Sequence, residues 1–190
     1  MEHSELELQL VKQQYQLAQA VIELSKGVAL QPILRHVGEI AMELTGAHYA
    51  MLSYVEDGKK IFIPLGMSED ELGKMDREPQ GLGLLGLIWN EQEVVRVGDI
   101  SRHASSVGFP ANHPVMSTFL GAPIKFGDEV EGAIYLTEKQ DGHSFTPLDE
   151  NIVRTLASAC AVAISNATNM QRLRDRNAEL ERLLEEGKGS

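Results

Sequence analysis

The chain has 190 residues, of which 43% are hydrophobic and 24% charged, enough for one globular core with helical extensions and too little for two full domains. Its net charge of -11, from 28 acidic against 17 basic residues, opposes a nucleic-acid partner and an anionic membrane surface, since both need clustered Lys and Arg. The amino terminus, MEHSELELQ, lacks the basic start and apolar core of a secretory signal, and no apolar run nears the ~18 residues of a membrane span. A cytoplasmic protein is expected.

Residues 4–26 contain no Gly or Pro and are rich in helix formers, with Leu10, Leu17 and Leu24 recurring every seventh position. This pattern predicts a helix that either buries one stripe on the domain or pairs with a second copy of itself. Gly27 breaks it, and a second helix is expected from about Pro32 to Gly46, with Ile33, Leu34, Val37, Ile40, Ala41 and Leu44 on its inner face. His36 on that helix reads as solvated or locally hydrogen-bonded. Strands over 48–55 and 60–65 flank the hairpin turn Asp57-Gly58.

Ser68 to Glu71 is a capping box that opens a short helix, and a loop from Pro79 to Gly83 leads into a second, 84–90. The glycines of that loop form only part of a phosphate-binding fingerprint, and no Lys follows. A strand over 94–97 precedes DISRHASSVGFPANHP, a long aperiodic segment of the kind that binds ligands, with His103 and His113 in it. Strands over 118–126 and 130–137 follow, and Pro123 marks the first as an edge strand or a bulged one. In the second, Val130, Gly132, Ile134 and Leu136 share one face, and Glu131, Ala133, Tyr135 and Thr137 the other. Tyr135 therefore points away from the more aliphatic side, toward a position where it can meet a ligand together with a loop imidazole.

Thr146 and Pro147 cap and open a final helix without Gly or Pro until Gly187. Ile152, Leu156, Ala159, Ala163, Leu173, Leu180 and Leu184 follow three- and four-residue steps along it, with Met170 and Asn177 completing the seam. An Asn at such a seam costs stability and favours a parallel two-stranded pairing; the other reading is a single charged helix running off the domain. Cys160, the one cysteine, sits on this helix in an alanine-rich run with no nearby basic residue, so packing is expected of it rather than redox work. The element order predicts an α+β domain with a mainly antiparallel sheet, end helices on one face, and short helices and loops forming a ligand pocket on the other.

The stretch GDISRHASSVGFPANHPVMSTFLGAPIKFGDEVEGAIYLTEK resembles GAF domains of bacterial sensor histidine kinases, especially the haem-binding first GAF domain of the mycobacterial dormancy sensor kinases of the DevS and DosT type. The resemblance covers about residues 28–170, leaving 1–27 as an N-terminal helix and 171–190 as a helical extension that begins a coiled coil. It implies haem b, with His113 as the proximal ligand of the iron and Tyr135 on the distal side, sensing a diatomic gas or redox state. The seams of the terminal helices point to a second copy as partner, in a parallel homodimer, and the resemblance implies a histidine kinase transmitter or another output domain. An imidazole is the usual proximal donor, and distal polarity and access select the ligand.

The chain departs from that pattern at Val115, where the relatives tend to have a second proline, and at Gln80 and Leu82, where they tend to carry an acidic and a basic or imidazole side chain. His103 is a second candidate ligand. The alternative reading is a haem-free GAF domain that binds another small molecule or only dimerises. An enzyme such as a sulfoxide reductase needs catalytic cysteines, which a lone Cys160 does not supply, so no enzymatic activity is expected.

Overall fold

The structure is a computed structural model that describes residues 30–56, 58–74, 81–109 and 111–188. The helix expected over 4–26, and Asp57 and Gln80, lie outside the described residues. Helix α1 (Leu30–Thr45) carries Pro32 in its first turn, where a missing N–H is tolerated, and buries Ile33, Leu34, Val37, Ile40 and Ala41. Gly46, at φ +69°, ends it and donates its N–H to the Met42 carbonyl at 2.9 Å. Strands β1 (Ala47–Glu56) and β2 (Lys59–Leu65) then form a hairpin closed at Glu56 opposite Lys59, with Gly58 at φ +74° in the turn.

Helix α2 (Glu69–Gly73) starts in the expected capping box: Ser68 Oγ accepts the Glu71 N–H at 3.3 Å, and Glu71 Oε2 accepts the Ser68 N–H at 2.8 Å. Helix α3 (Leu84–Glu91) and strand β3 (Val95–Val97) lead to a single 3-10 turn at Ile100–Arg102 and the long loop. Strands β4 (Phe119–Phe126) and β5 (Glu129–Lys139) and helix α4 (Pro147–Lys188) complete the described residues.

Among the described residues, five strands pair in the order β2-β1-β5-β4-β3, every pair antiparallel. Pro123 lies on an inner strand rather than at an edge, yet the reasoning behind the expectation holds locally. Strand β3 begins opposite Gly121 and reaches no farther along β4, so β4 has one partner at Pro123, and a register shift follows between Ile124 and Lys125.

The period-two alternation of β5 divides two cores. Ile134 and Leu136 join Leu52, Tyr54, Leu120, Ala122 and Ile124 under α1 and the first half of α4, which adds Val153, Leu156, Cys160 and Ile164. Ala133 and Tyr135 join Phe119, Leu84, Ile88, Val97, Ile100 and Met116 on the opposite face, beneath α3 and the long loop. The end of β5 is fastened to the start of α4 by the buried carboxylate of Asp149, which pairs with Lys139 Nζ and accepts the Thr146 N–H at 2.6 Å and the Thr146 hydroxyl at 2.8 Å. Past Ile164 the helix leaves the domain and exposes Met170, Leu173, Leu180 and Leu184. No helix among the described residues is long and apolar enough to cross a membrane.

Gly132, midway in β5 and paired on both sides, has no room for a side chain: a Cβ there would lie 2.2 Å from the Ser53 carbonyl oxygen. Gly132→Ala is expected to lower the urea unfolding free energy by about 1–3 kcal/mol, whereas Gly73→Ala, with nothing within 4 Å, stays within about 1 kcal/mol of the parent.

Candidate functional site

Helix α3 settles close against the sheet because β4 offers it a glycine. A Cβ at Gly121 would stand 2.8 Å from Ile88, which is fully buried at that contact. Seated there, α3 brings Leu85 and Trp89, one helical turn apart, over Tyr135. The Tyr135 hydroxyl accepts the indole N–H of Trp89 at 2.8 Å, donates to the Leu85 carbonyl at 3.3 Å, and lies 3.4 Å from the Ser53 hydroxyl. Lys60 Nζ, from the exposed end of β2, sits 3.9 Å over the Trp89 ring. Tyr135 does face the short-helix side, as its strand parity predicts, but it is only 2% exposed and its hydroxyl is held by protein groups.

The long loop is pinned near its two ends. Asp99 caps the 3-10 turn by accepting the Ser101 N–H at 3.0 Å, and the Ile100 N–H reaches the Ser117 carbonyl at 2.7 Å. At the far end Met116 is buried beside Tyr135's cluster, with the Thr137 hydroxyl 3.0 Å from its sulfur, while the Glu138 carboxylate accepts the N–H groups of Ser117 and Thr118. Between these anchors the loop holds large apolar side chains out in solvent: Val107 is 70% exposed, Phe109 42% and Val115 86%. The glycine loop before α3 packs on it, for a Cβ at Gly83 would meet Val107 at 2.8 Å. Gly83 thus serves a close approach between two loops, and Leu82 beside it is 61% exposed.

His113 lies half-buried in this loop, stacked on Phe109 with ring centroids 4.8 Å apart. Its Nδ1 is 2.8 Å from the Pro114 carbonyl oxygen. A carbonyl only accepts, so the neutral ring carries its proton on Nδ1 and its lone pair on Nε2. His103 is arranged the opposite way: its Nδ1 accepts the Ser105 N–H at 3.2 Å, which puts the proton of the neutral ring on Nε2 and uses the free lone pair. Of the two loop imidazoles, His113 is the one presenting a donor nitrogen. His36 lies 3.4 Å from Glu39 on α1, a local pairing as expected.

The contacts of His113 and Tyr135 do not overlap. His113 touches its own loop, and Tyr135 touches α3, β1 and Phe119. What joins them is Met116, three residues beyond His113 and part of the cluster around Tyr135. Among the described residues no group of three or more His, Cys, Asp or Glu is placed to hold a metal ion. Sequence reasoning missed Trp89, Ser53 and Lys60. Ser53 was within reach, because it has the same strand parity as Tyr49 and Met51, which pack in the Tyr135 cluster.

Cys160 is fully buried in the α1–α4 core, and burial pushes its thiol up to about 12. A thiol so far above neutrality supplies no thiolate nucleophile. Burial also raises the Tyr135 phenol above its ordinary range, with the hydrogen bonds to Ser53 and Trp89 drawing it partly back. Since the unfolded chain then loses this proton first, Tyr135 contributes stability that is full below about pH 10 and is lost as pH rises through the folded value. Tyr54 shifts the same way, chiefly through burial. Denaturant midpoints taken from pH 8 to 12 should fall with rising pH in the parent and fall less steeply in Tyr135→Phe; equal slopes would show that the phenol ionises as readily folded as unfolded.

Several solved structures share the fold. The GAF domain of a phosphoenolpyruvate-protein phosphotransferase from Coxiella burnetii is 24% identical, with a TM-score of 0.70 over 84% of this chain and 96% of that one. The GAF domain of a putative sensor histidine kinase from Pseudomonas syringae pv. tomato is 14% identical, with a TM-score of 0.62 over 92% of this chain and 99% of that one. Free methionine-R-sulfoxide reductase from Neisseria meningitidis, in complex with its substrate, is 16% identical, with a TM-score of 0.62 over 81% of this chain and 89% of that one. At these identities the likeness is one of fold. A family model described as GAF domain matches residues 28–165, and the chain belongs to the GAF domain family, a regulatory fold of signalling and small-molecule binding.

Proposed function

We propose that this GAF domain is a sensor that holds haem b between the His113 loop and the Tyr135 face of the sheet, detects a diatomic gas or redox state, and passes the response along α4. The observation that carries the reading is the His113 ring, whose Nδ1 bond to the Pro114 carbonyl leaves Nε2 as a lone-pair donor. The exposed apolar side chains of Val107, Phe109 and Val115 around it suit a flat apolar partner. The resemblance to haem-binding GAF domains rests on the same residues, His113 and Tyr135.

The donor set fits the group. His113 would hold the iron through its Nε2, and Pro114 limits the freedom of its loop. Haem b, when bound, supplies an iron that responds to gas or to oxidation. Tyr135 would offer the proton that it now shares between two long contacts, the Leu85 carbonyl and the Ser53 hydroxyl. Because the phenol lies under α3, access to its proton requires the Leu85 end of that helix to move while the Trp89 end stays seated. Displacement of Tyr135 acts on β5, whose last residue, Lys139, pairs with Asp149 in the first turn of α4, so the sheet and the output helix are mechanically joined. A second reading, a haem-free domain that binds another small molecule or only dimerises, is favoured by the three protein partners that already surround the Tyr135 hydroxyl.

Under either reading the partner along α4 is a second copy, paired in parallel. Met170, Asn177 and Leu184 recur at one seam position, and Leu173 and Leu180 at the other, all beyond the domain. In that register Arg176 of one helix flanks Glu181 of the other, an opposite-charge pair on each side of the seam. The parallel pair would deliver two signals side by side to a histidine kinase transmitter or another output domain.

Protein expressed with haem supply should show a Soret band that disappears in His113→Ala and persists in His103→Ala. Absence of the band in the parent, or the same band and coordination in His113→Ala, sinks the haem assignment and leaves the second reading. Sedimentation equilibrium should give a dimer for the parent and a monomer for Leu173→Glu/Leu180→Glu; a parent that stays monomeric at all concentrations removes the pairing.

A further inference from the structure

The Tyr135 hydroxyl has one proton to give and two lone pairs to receive with. One lone pair is taken by the indole N–H of Trp89 at 2.8 Å, the shortest of its contacts. An indole N–H only donates, so this bond has one polarity, and the phenol has to act as its acceptor. The phenolic proton is left with the Leu85 carbonyl at 3.3 Å, an oxygen that α3 already uses for its own N–H ladder, and the Ser53 hydroxyl at 3.4 Å. One strong bond therefore orients the hydroxyl, and its proton is held only by long contacts, to the Leu85 carbonyl or to a Ser53 hydroxyl that can equally donate to the second lone pair.

Trp89 is itself held from the outer side. Lys60 stands 3.9 Å over its ring, and the ring is wedged between that ammonium on β2 and the phenol on β5. Buried Leu84 and Ile88 fasten the same helix to the sheet, and Gly121 lets it sit down. The indole is thus fixed by three different elements at the one place where its N–H meets Tyr135.

We infer that Trp89 is a positioning residue that commits the Tyr135 hydroxyl to hydrogen-bond donation, so that the site selects ligands presenting an acceptor to it. This rests on the reading that a ligand meets Tyr135, but not on that ligand being haem. An incoming acceptor replaces only the long Leu85 and Ser53 contacts and leaves the Trp89 bond in place. A group presenting a donor finds one phenol lone pair taken by the indole and is left with the second, which it must contest with the Ser53 hydroxyl.

The chain has one tryptophan, so its indole spectrum belongs to Trp89 alone. In ultraviolet resonance Raman spectra of the ligand-free protein, the band sensitive to indole N–H bonding is expected at its hydrogen-bonded position and should move to that of a free indole in Tyr135→Phe. The Tyr135 doublet is isolated by subtracting spectra of matching Tyr135→Phe variants. It should shift from the pattern of a phenol that both accepts and donates toward that of a pure donor in Trp89→Phe, which keeps an aromatic ring and removes the N–H together with the pyrrole ring that carries it. In protein loaded with haem, added carbon monoxide serves as an acceptor probe: its stretch is expected as one band in the parent and as two in Trp89→Phe, where the hydroxyl is free to rotate. An indole band indifferent to Tyr135→Phe, or identical carbon monoxide bands in parent and Trp89→Phe, overturns the inference. Failure to take up haem would overturn the haem reading alone, because the ligand-free Raman spectra still decide the role of Trp89.

Discussion

The constraint on which the rest depends is the position of β5, a strand with a neighbour on each side and a different core on each face. Such a strand has no freedom to slip, because a shift of one residue would drive Ile134 and Leu136 out of one core and put Tyr135 under the end helices. Its backbone fits against β1 closely enough that Gly132 nearly touches the Ser53 carbonyl oxygen. The same register that makes this contact sets Met51 opposite Tyr135 and Ser53 opposite Ala133. The chemistry around the phenol is thus a consequence of strand pairing, and its precision comes from backbone geometry rather than from a mobile side chain.

The two faces of the sheet do different work. One is a continuous aliphatic core between β1, β5, β4 and the helices α1 and α4, with Cys160 held inside it as a small apolar group. The other is covered by α3 and a loop and contains methionines, aromatic rings and a tyrosine hydroxyl. Its cover is short and rests on few buried residues, Leu84 and Ile88 from α3 and Ile100 and Met116 from the two ends of the loop. Elements with few buried contacts are the ones that open at low cost, so the face with the polar hub is also the face with the lighter lid.

The two loop histidines show how little a residue type says without its neighbours. His103 and His113 are ten positions apart in one aperiodic segment, yet a backbone N–H occupies the Nδ1 lone pair of the first and a backbone carbonyl takes the Nδ1 proton of the second. Backbone conformation, which in this loop includes Asn112 at φ +62°, decides which ring nitrogen is left to coordinate. The departures from the haem-binding pattern also acquire a setting, since Val115 and Leu82 both stand exposed at the outer side of the two packed loops.

Much of this architecture was legible in the sequence because its signals are local. The capping box at Ser68, the glycines that end α1 and turn the first hairpin, and the parity that sends Tyr135 to the second face each depend on residues within a few positions of one another. The seam on α4 was legible as a pattern, but only packing divided it, burying Leu156 and Ala163 in the domain and leaving Met170, Leu173, Leu180 and Leu184 outside. Pro123 was rightly read as incompatible with a fully paired strand, and it took the length of β3 to show why an inner strand tolerates it. Of the partners of the phenol only Ser53 had a local signal, its strand parity with Tyr49 and Met51. Trp89 and Leu85 are 46 and 50 residues from Tyr135, and Ser53 is 82 away. By itself the sequence determined which residues form each element and which way each side chain faces, because those follow from local sterics and periodicity. Only the tertiary structure decided what each polar group meets, because a hydrogen bond across the sheet depends on the register of three strands and the seating of a helix on Gly121.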